Sequence, residues 1–293
     1  MLIIYIRVQI DKMMVSQLRI TTLSDNIAGE GFHAEWGLSL LIEADGKRIL
    51  FDTGASDIVA KNAKLLNIDL KRLDAIVLSH GHADHTGGLL DVLRDAGPTT
   101  IIAHPDIFKP RYVHRPGEEN CRSIGLPYSR SELEKCGASF ILDRESFGIA
   151  SGIFTSGTIP LMTTYEDVDE NLLVKNDGFF EQDKIFDDTS LMIDPCEGLV
   201  DVLGCAHRGV VNTLLHARRL TGIQQVAMVI GGMHLGRAAE ERIESTINGL
   251  KEIGVQRIIV SHCTGLPASE RLKRAFGEHC LLNSAGSHFT LPI

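Results

Sequence analysis

With 293 residues, 44% of them hydrophobic, the chain can bury a full core and does not have the composition of a disordered protein. Its 29 basic and 38 acidic residues leave a formal charge of −9, which argues against general affinity for nucleic acid or an anionic membrane surface. An anionic ligand must therefore be drawn by a local cationic site. Cys121, Cys136, Cys196, Cys205, Cys263 and Cys280 include no C-x-x-C pair, a usage that fits reduced thiols of a cytoplasmic protein better than a disulfide framework.

Met1 to Ile10 is apolar but broken by Arg7 and followed at once by Asp11 and Lys12. It is too short to span a bilayer and has no small-residue cleavage site, so it is expected to be an extra strand, or residues upstream of a start at Met13 or Met14. Gln17 to Leu23 alternates as a strand. Gly29 to Gly37 is a glycine-rich connection holding His33, Glu35 and Trp36. Leu38–Ile42 and Lys47–Phe51 form a hairpin around Asp45-Gly46. The second strand ends in Asp52-Thr53-Gly54, and Ser56 is expected to cap a helix carrying Ile58, Val59, Leu65 and Leu66. Ala75 to Leu78 is a short strand leading into Ser79-His80-Gly81-His82-Ala83-Asp84-His85-Thr86-Gly87-Gly88. A helix with Leu89, Leu90 and Leu93 follows and stops at Gly97-Pro98.

After the strand Ile101–Ala103, the prolines and aromatics between residues 105 and 130 predict a long ordered loop, the kind of segment that forms lids and binding loops. Arg111, Arg115, Arg122 and Arg130 fall there. They suit an anion clamp for a phosphate or carboxylate, or else ion pairs to Glu118, Glu119, Glu132 and Glu134. Ser131 and Glu134 suggest a capping box for the next helix. The second half repeats the rhythm: strands near Ile153 and at 172–174, 190–193 and 199–203, then helices at 211–220, 240–253 and about 270–276. No linker intervenes. The expectation is one domain over residues 1–293, built from two similar α/β halves at about 15–149 and 150–293.

Four apolar runs end in histidine: Ala75–Leu78 at His80, Val200–Leu203 at His207, Val226–Ile230 at His234 and Ile258–Val260 at His262. Ligands of α/β proteins gather at the carboxyl ends of strands. Buried imidazoles and carboxylates in such number need a partner, and a borderline divalent ion prefers those donors. Residues two apart in an extended segment share a side, so His80 and His82 can grip one ion, while the neighbours Asp84 and His85 point apart. The spacing suggests two adjacent positions, one on His80, His82 and His207, the other on Asp84, His85 and His262. Each leaves a vertex open, as catalytic zinc sites do. Zinc is the expected metal, as one or two ions, with iron or manganese as alternatives. Asp52 would orient a ligand histidine or cap the next turn. Cys205 and Cys263 have the character of packing residues.

The run His80-x-His82-x-Asp84-His85 with Thr86-Gly87-Gly88 resembles the signature of the metallo-β-lactamase superfamily. Asp52-Thr53-Gly54, His207 and His262 fall where further motifs of that family belong. Glu35-Trp36-Gly37-Leu38-Ser39, Ile124-Gly125-Leu126-Pro127, Gly204-Cys205-Ala206-His207, Gly231-Gly232-Met233-His234-Leu235 and His262-Cys263-Thr264-Gly265 resemble a narrower subgroup. That subgroup contains dihydropterin ribofuranosylaminobenzene phosphate synthases and metal-dependent hydrolases. The resemblance implies an α/β (α+β) fold, a four-layer αββα sandwich with metal at one edge. It also marks two departures. The bridging aspartate usual before the last histidine motif is replaced by Gly231-Gly232-Met233-His234, and Trp36 stands where the subgroup commonly has histidine. His234 could be an extra ligand, a proton donor to the leaving group or a substrate contact.

The function expected from these residues is hydrolysis of an ester or phosphoester in a small, anionic molecule. Bound metal lowers the pKa of water from about 15.7 toward ~7, and Asp84 orients that nucleophile. The alternatives are a metal-dependent transferase or synthase acting on a phosphorylated pterin- or ribose-like substrate, and a sensor that binds metal and ligand without turnover. Oxidation chemistry on bound iron is a weaker option.

Overall fold

Along Ser39–Ala44 every side chain except Glu43 is buried, yet the pleat sorts them: Leu40 and Ile42 enter one apolar cluster and Leu41 another. A strand buried on both faces must lie between two layers. A computed structural model describes residues 14–291, so the strand expected at Met1–Ile10 lies outside the described residues. In it Ser39–Ala44 belongs to a seven-stranded sheet with the spatial order His288–Leu291, Leu18–Ser24, Ser39–Ala44, Lys47–Phe51, Ala75–Val77, Thr99–Ala103, Ala138–Leu142. A second seven-stranded sheet runs Cys280–Leu282, Ile258–Val260, Val226–Gly231, Leu199–Leu203, Ser190–Ile193, Ile153–Thr155, Gly148–Ala150.

The inner cluster takes Ile20, Leu40, Ile49 and Val77 from the first sheet and Leu191, Val200, Met228 and Ile259 from the second, so the sheets pack face to face. Helices Ile58–Leu65 and Leu89–Ala96 cover the outside of the first through Val59, Leu89 and Leu93. Helices Val210–Thr221, Glu240–Ile253 and Leu266–Phe276 cover the second through Leu214, Ile247 and Leu272. Each fully buried Leu, Ile or Val contributes about 1.5–3 kcal/mol to this arrangement. The fold is the expected four-layer αββα sandwich. Among the described residues no helix is long and apolar enough to cross a membrane.

The hairpin turns as its sequence demands, with Asp45 at φ 47° and Gly46 at φ 80°, both positive as a type I′ turn requires. Several local expectations shift. Ser56 does not cap the first helix; its hydroxyl donates to Glu35 Oε2 at 2.5 Å and the helix starts beyond Asp57. The capping box is Ser129 with Glu132, because Ser129 is the residue still in extended backbone, while Ser131 is already helical.

The segment from 105 to 130 is not a free loop. Arg111–Val113 pairs with Leu172–Val174, and with Phe179–Gln182 and Arg122–Ser123 these make a four-stranded sheet over the rim of the sandwich. The division into halves also fails for the last strand, since His288–Leu291 pairs with Leu18–Thr21 in the first sheet.

Asp201 lies fully buried on Leu199–Leu203, and burial pushes its carboxyl up to about 7. An unfolded aspartate titrates near 3.9, so the folded state binds the extra proton between those values and loses stability as pH rises from about 4 to about 7. Asp201→Asn is therefore expected to gain stability relative to wild type as pH is raised from about 5 to 8, by about 2–3 kcal/mol. Melting temperatures across that range check it; a difference that stays flat contradicts it.

Candidate metal centre

Lys47–Phe51 runs parallel to Ala75–Val77, and Leu199–Leu203, Val226–Gly231 and Ile258–Val260 are parallel to one another. Parallel strands bring their carboxyl ends to a common edge. Asp52, Ser79 with His80, Cys205 with His207, His234 and His262 all follow such ends. The backbone reverses sharply there: Asp52, Ala206, His234 and His262 have φ of 60°, 49°, 47° and 49°. Non-glycine residues in this region cost roughly 1 kcal/mol or more each, and such strain concentrates at functional sites.

Two groups of donors form. His80 Nε2 is 3.0 Å from His82 Nδ1 and 3.2 Å from His207 Nε2. Beside them, His85 Nε2 is 3.0 Å from Cys205 Sγ, and His262 Nε2 is 3.3 Å from Asp84 Oδ2. The Cys205 sulfur stands within 4.8 Å of the ligand atoms of His80 and His207, and equally of His85 and His262. It lies between the groups.

Hydrogen bonding fixes the tautomers. Buried Asp52 accepts from Ser79 N and Ser79 Oγ, each at 2.7 Å, and from His85 Nδ1 at 2.6 Å. The single Ser79 hydroxyl proton is thus committed to Asp52, so at 2.9 Å His80 Nδ1 must donate to Ser79 Oγ. His262 Nδ1 donates to Asn26 Oδ1 at 2.8 Å, while the amide nitrogen of Asn26 donates to the His262 carbonyl at 3.1 Å. In His80, His85 and His262 the proton is held on Nδ1, and Nε2 presents a lone pair to the interior. This is the orientation outer hydrogen-bond partners impose on metal-binding histidines.

Electrostatics agrees. Burial, with the neighbouring imidazoles, holds His80 and His207 well below their usual value, and burial beside Arg111 does the same for His82, so all three are neutral donors. For His85 burial is outweighed by Asp52 and Asp84, which push it up to about 9; a cation at Nε2 opposes that proton. Burial works against Asp84 as an anion, but His85 and His262 hold it well below the carboxylate range. Burial and Cys263 push the Cys205 thiol up, so it needs a cation alongside to ionise. His82 Nε2, His207 Nδ1 and His234 Nδ1 are buried with no hydrogen-bond partner. Donors about 2.0–2.3 Å from a tetrahedral ion stand roughly 3.3–3.7 Å apart. The observed spacings of 3.0–3.3 Å come close, and the donor set fits a divalent cation.

Three expectations need correcting. Cys205, expected only to pack, is buried but also has its sulfur within 4.8 Å of ligand atoms of both groups, where it could join a metal-binding set. Arg111 is no exposed anion clamp. It is buried, its Nε and Nη1 donate at 2.7 Å to Asp183 and Asp187, and Nη2 also bonds Asp187. Asp187 Oδ2 in turn accepts from Gly81 N at 2.8 Å, so this ion pair braces the turn between His80 and His82. The guanidinium fills the space a Cβ on Gly81 would need. Third, the arginines of the segment do not pair with the expected glutamates except Arg130 with Glu134, at 2.7 Å. Arg122 is exposed, and among the described residues neither it nor Arg115 forms an ion pair. Their sheet touches the site where Ala83 N donates to Ile124 O at 2.8 Å.

Asp187, Asn26 and Ser79 were not anticipated either. Ser79 adjoins the cluster and was legible; the other two act from distant segments. His234 sits with its ring centroid 4.1 Å from that of His207. Cys263 outweighs burial and raises its pKa.

A family model described as the metallo-beta-lactamase superfamily matches residues 37–222. A 7,8-dihydropterin-6-methyl-4-(beta-D-ribofuranosyl)-aminobenzene-5'-phosphate synthase of Methanocaldococcus jannaschii is 36% identical over 281 residues, covering 90% of this chain and 93% of the relative. An uncharacterised protein of the same organism is 33% identical over 257 residues, 87% of this chain and 94% of its own. Among solved structures, a metal-dependent hydrolase of the beta-lactamase superfamily superposes with a TM-score of 0.81 at 30% identity, covering 94% of this chain and all of the other. Sandwich, strand-end histidines and relatives agree: the chain belongs to the metallo-beta-lactamase superfamily and is an enzyme of that fold.

Proposed function

We propose that the protein is a zinc-dependent hydrolase acting on an ester or phosphoester of a small anionic molecule. The observation that carries this reading is the set of locked tautomers, which aim the Nε2 lone pairs of His80, His85 and His262 inward around Cys205. Imidazole nitrogens with a sulfur favour zinc over iron or manganese. His80, His82 and His207 would hold one ion, and Asp84, His85 and His262 the other, with Cys205 available to both. Bound there, a divalent ion supplies Lewis acidity, bringing water toward ionisation near neutral pH and drawing charge from an acceptor oxygen.

The residues supply the rest. Asp84, ionised and with its side chain 24% exposed, accepts a hydrogen bond from the attacking water and orients it. His234, whose pKa is raised beside Cys263, carries a proton for the leaving group. Asp52 holds His85 and, through Ser79, His80 in register. Arg115 and Arg122, neither of them in an ion pair among the described residues, are the cations of the segment from 105 to 130 available to an anionic substrate.

The test is turnover of 4-nitrophenyl acetate, 4-nitrophenyl phosphate and bis(4-nitrophenyl) phosphate by the zinc-loaded protein. Asp84→Asn is expected to lower kcat by about 10²-fold or more. A chain that holds zinc and turns over none of these esters contradicts hydrolysis.

A second reading, a metal-dependent transferase or synthase acting on a phosphorylated pterin- or ribose-like substrate, is favoured by the relative named as a synthase over nine-tenths of this chain. It is distinguished by product that forms only when a second substrate is supplied.

A further inference from the structure

Trp36 is the only tryptophan of the chain and is 63% exposed. Its placement is nevertheless specified. The indole Nε1–H donates to Asp84 Oδ2 at 3.0 Å, and the ring centroid lies 5.1 Å from that of His262. On one side Glu35 is anchored, its Oε1 accepting from Ser24 Oγ at 2.9 Å and from Ala55 N at 3.1 Å. On the other, Gly37 is so crowded that a Cβ would meet Ala55 N at 2.8 Å and the Asp84 carbonyl at 2.9 Å. The next residue, Leu38, donates its N–H to that carbonyl at 3.2 Å. The backbone carrying the indole is thus fixed to the backbone carrying Asp84.

A carboxylate oxygen has two lone pairs. Oδ2 of Asp84 uses one for the indole, and the same atom stands 3.3 Å from His262 Nε2, which is buried and has no hydrogen-bond donor or acceptor in line. Asp84 lies on a single helical turn, Ala83–Thr86, and among the described residues the indole N–H is the hydrogen-bond donor to its carboxylate, beside the approach of His262. The indole thereby restrains that carboxylate.

We propose that Trp36 is a positioning residue for Asp84, and that its N–H, not its ring surface, sets the affinity of the Asp84, His85 and His262 position for a divalent ion. The inference rests on the reading that this position binds metal. Outer hydrogen bonds to ligating side chains are typically worth about 10- to 100-fold in metal affinity.

The experiment is zinc chloride titration of the chelator-treated full chain against a competing chromogenic chelator, with indole emission read in parallel. As the sole tryptophan, Trp36 makes that emission specific to this place. Wild type is expected to bind two equivalents, with emission changing during one of the steps only. Trp36→Phe, which keeps a ring and removes the donor, should weaken that step by about 10- to 100-fold and leave the other unchanged. Trp36→His, which restores an N–H donor, should recover most of the loss. Two equivalents bound equally well by wild type and Trp36→Phe overturn the inference while leaving the two-ion reading intact. Equal weakening of both steps reduces Trp36 to a structural role and overturns it too. Wild type that takes up a single equivalent without change in emission overturns both readings.

Discussion

Alanine at His80 is expected to remove one metal ion per chain, and alanine at His262 the other, each with a fall in kcat/KM of about 10³-fold or more. His80 Nε2 stands 3.0 and 3.2 Å from the donor atoms of His82 and His207, and its lone pair is aimed by Ser79 and Asp52. Without it two histidines remain, fewer than the three protein ligands an open zinc site carries. His262 is the counterpart beside Asp84 and His85. Loss of several kcal/mol of charge stabilisation corresponds to three decades at about 1.4 kcal/mol each. Elemental analysis of the purified variants, beside steady-state kinetics, decides the matter. If neither substitution lowers metal content, the assignment to two positions is wrong.

Arg111→Met should be the most destabilising single change predicted from this structure. It leaves Asp183 and Asp187 buried without their cation, a situation that costs about 3–5 kcal/mol and lowers the melting temperature of a protein this size by roughly 10 °C. Arg111→Lys keeps the charge but cannot serve two carboxylates with a planar fork, and should fall between. Because Asp187 also holds Gly81 N, the same variant should bind metal more weakly at His80 and His82. Adding Asp187→Asn to Arg111→Met should return part of the stability by removing one stranded charge, without returning the metal affinity. A melting temperature within about 2 °C of wild type for Arg111→Met would falsify the account of a buried brace.

What the sequence revealed and what it hid follow one physical line. Strand alternation, the Asp45-Gly46 turn and the spacing of His80, His82, Asp84 and His85 are local, and each was legible from a few neighbouring residues. The sandwich follows, because strands buried on both faces alternate with amphipathic helices. Arg111 was misread because its partners lie 72 and 76 residues away, and an arginine amid nearby glutamates resembles a surface cation. Cys205 was misread because the place between two ligand groups depends on which strand end faces both, and that is a property of sheet order. Trp36 meets Asp84 across 48 residues. Strand pairing between Arg111–Val113 and Leu172–Val174 turned an apparent loop into a sheet for the same reason.

The strand His288–Leu291 gives the molecule a history as well as a shape. Its partner Leu18–Ser24 is the first strand of the described chain to leave the ribosome, and His288–Leu291 is the last. Throughout translation the sheet that presents His80, His82 and His85 has an open edge, with unpaired amides available to any other extended chain. His288–Leu291 then becomes the outer strand in its place, and covering Leu18–Ser24 waits on a contact between the most distant strands of the described chain, the kind of pairing that forms slowly and leaves intermediates prone to aggregate. Yield during expression should therefore depend on how long that edge stays open, and on what the cell offers to cover it, more than on the stability of the finished sandwich.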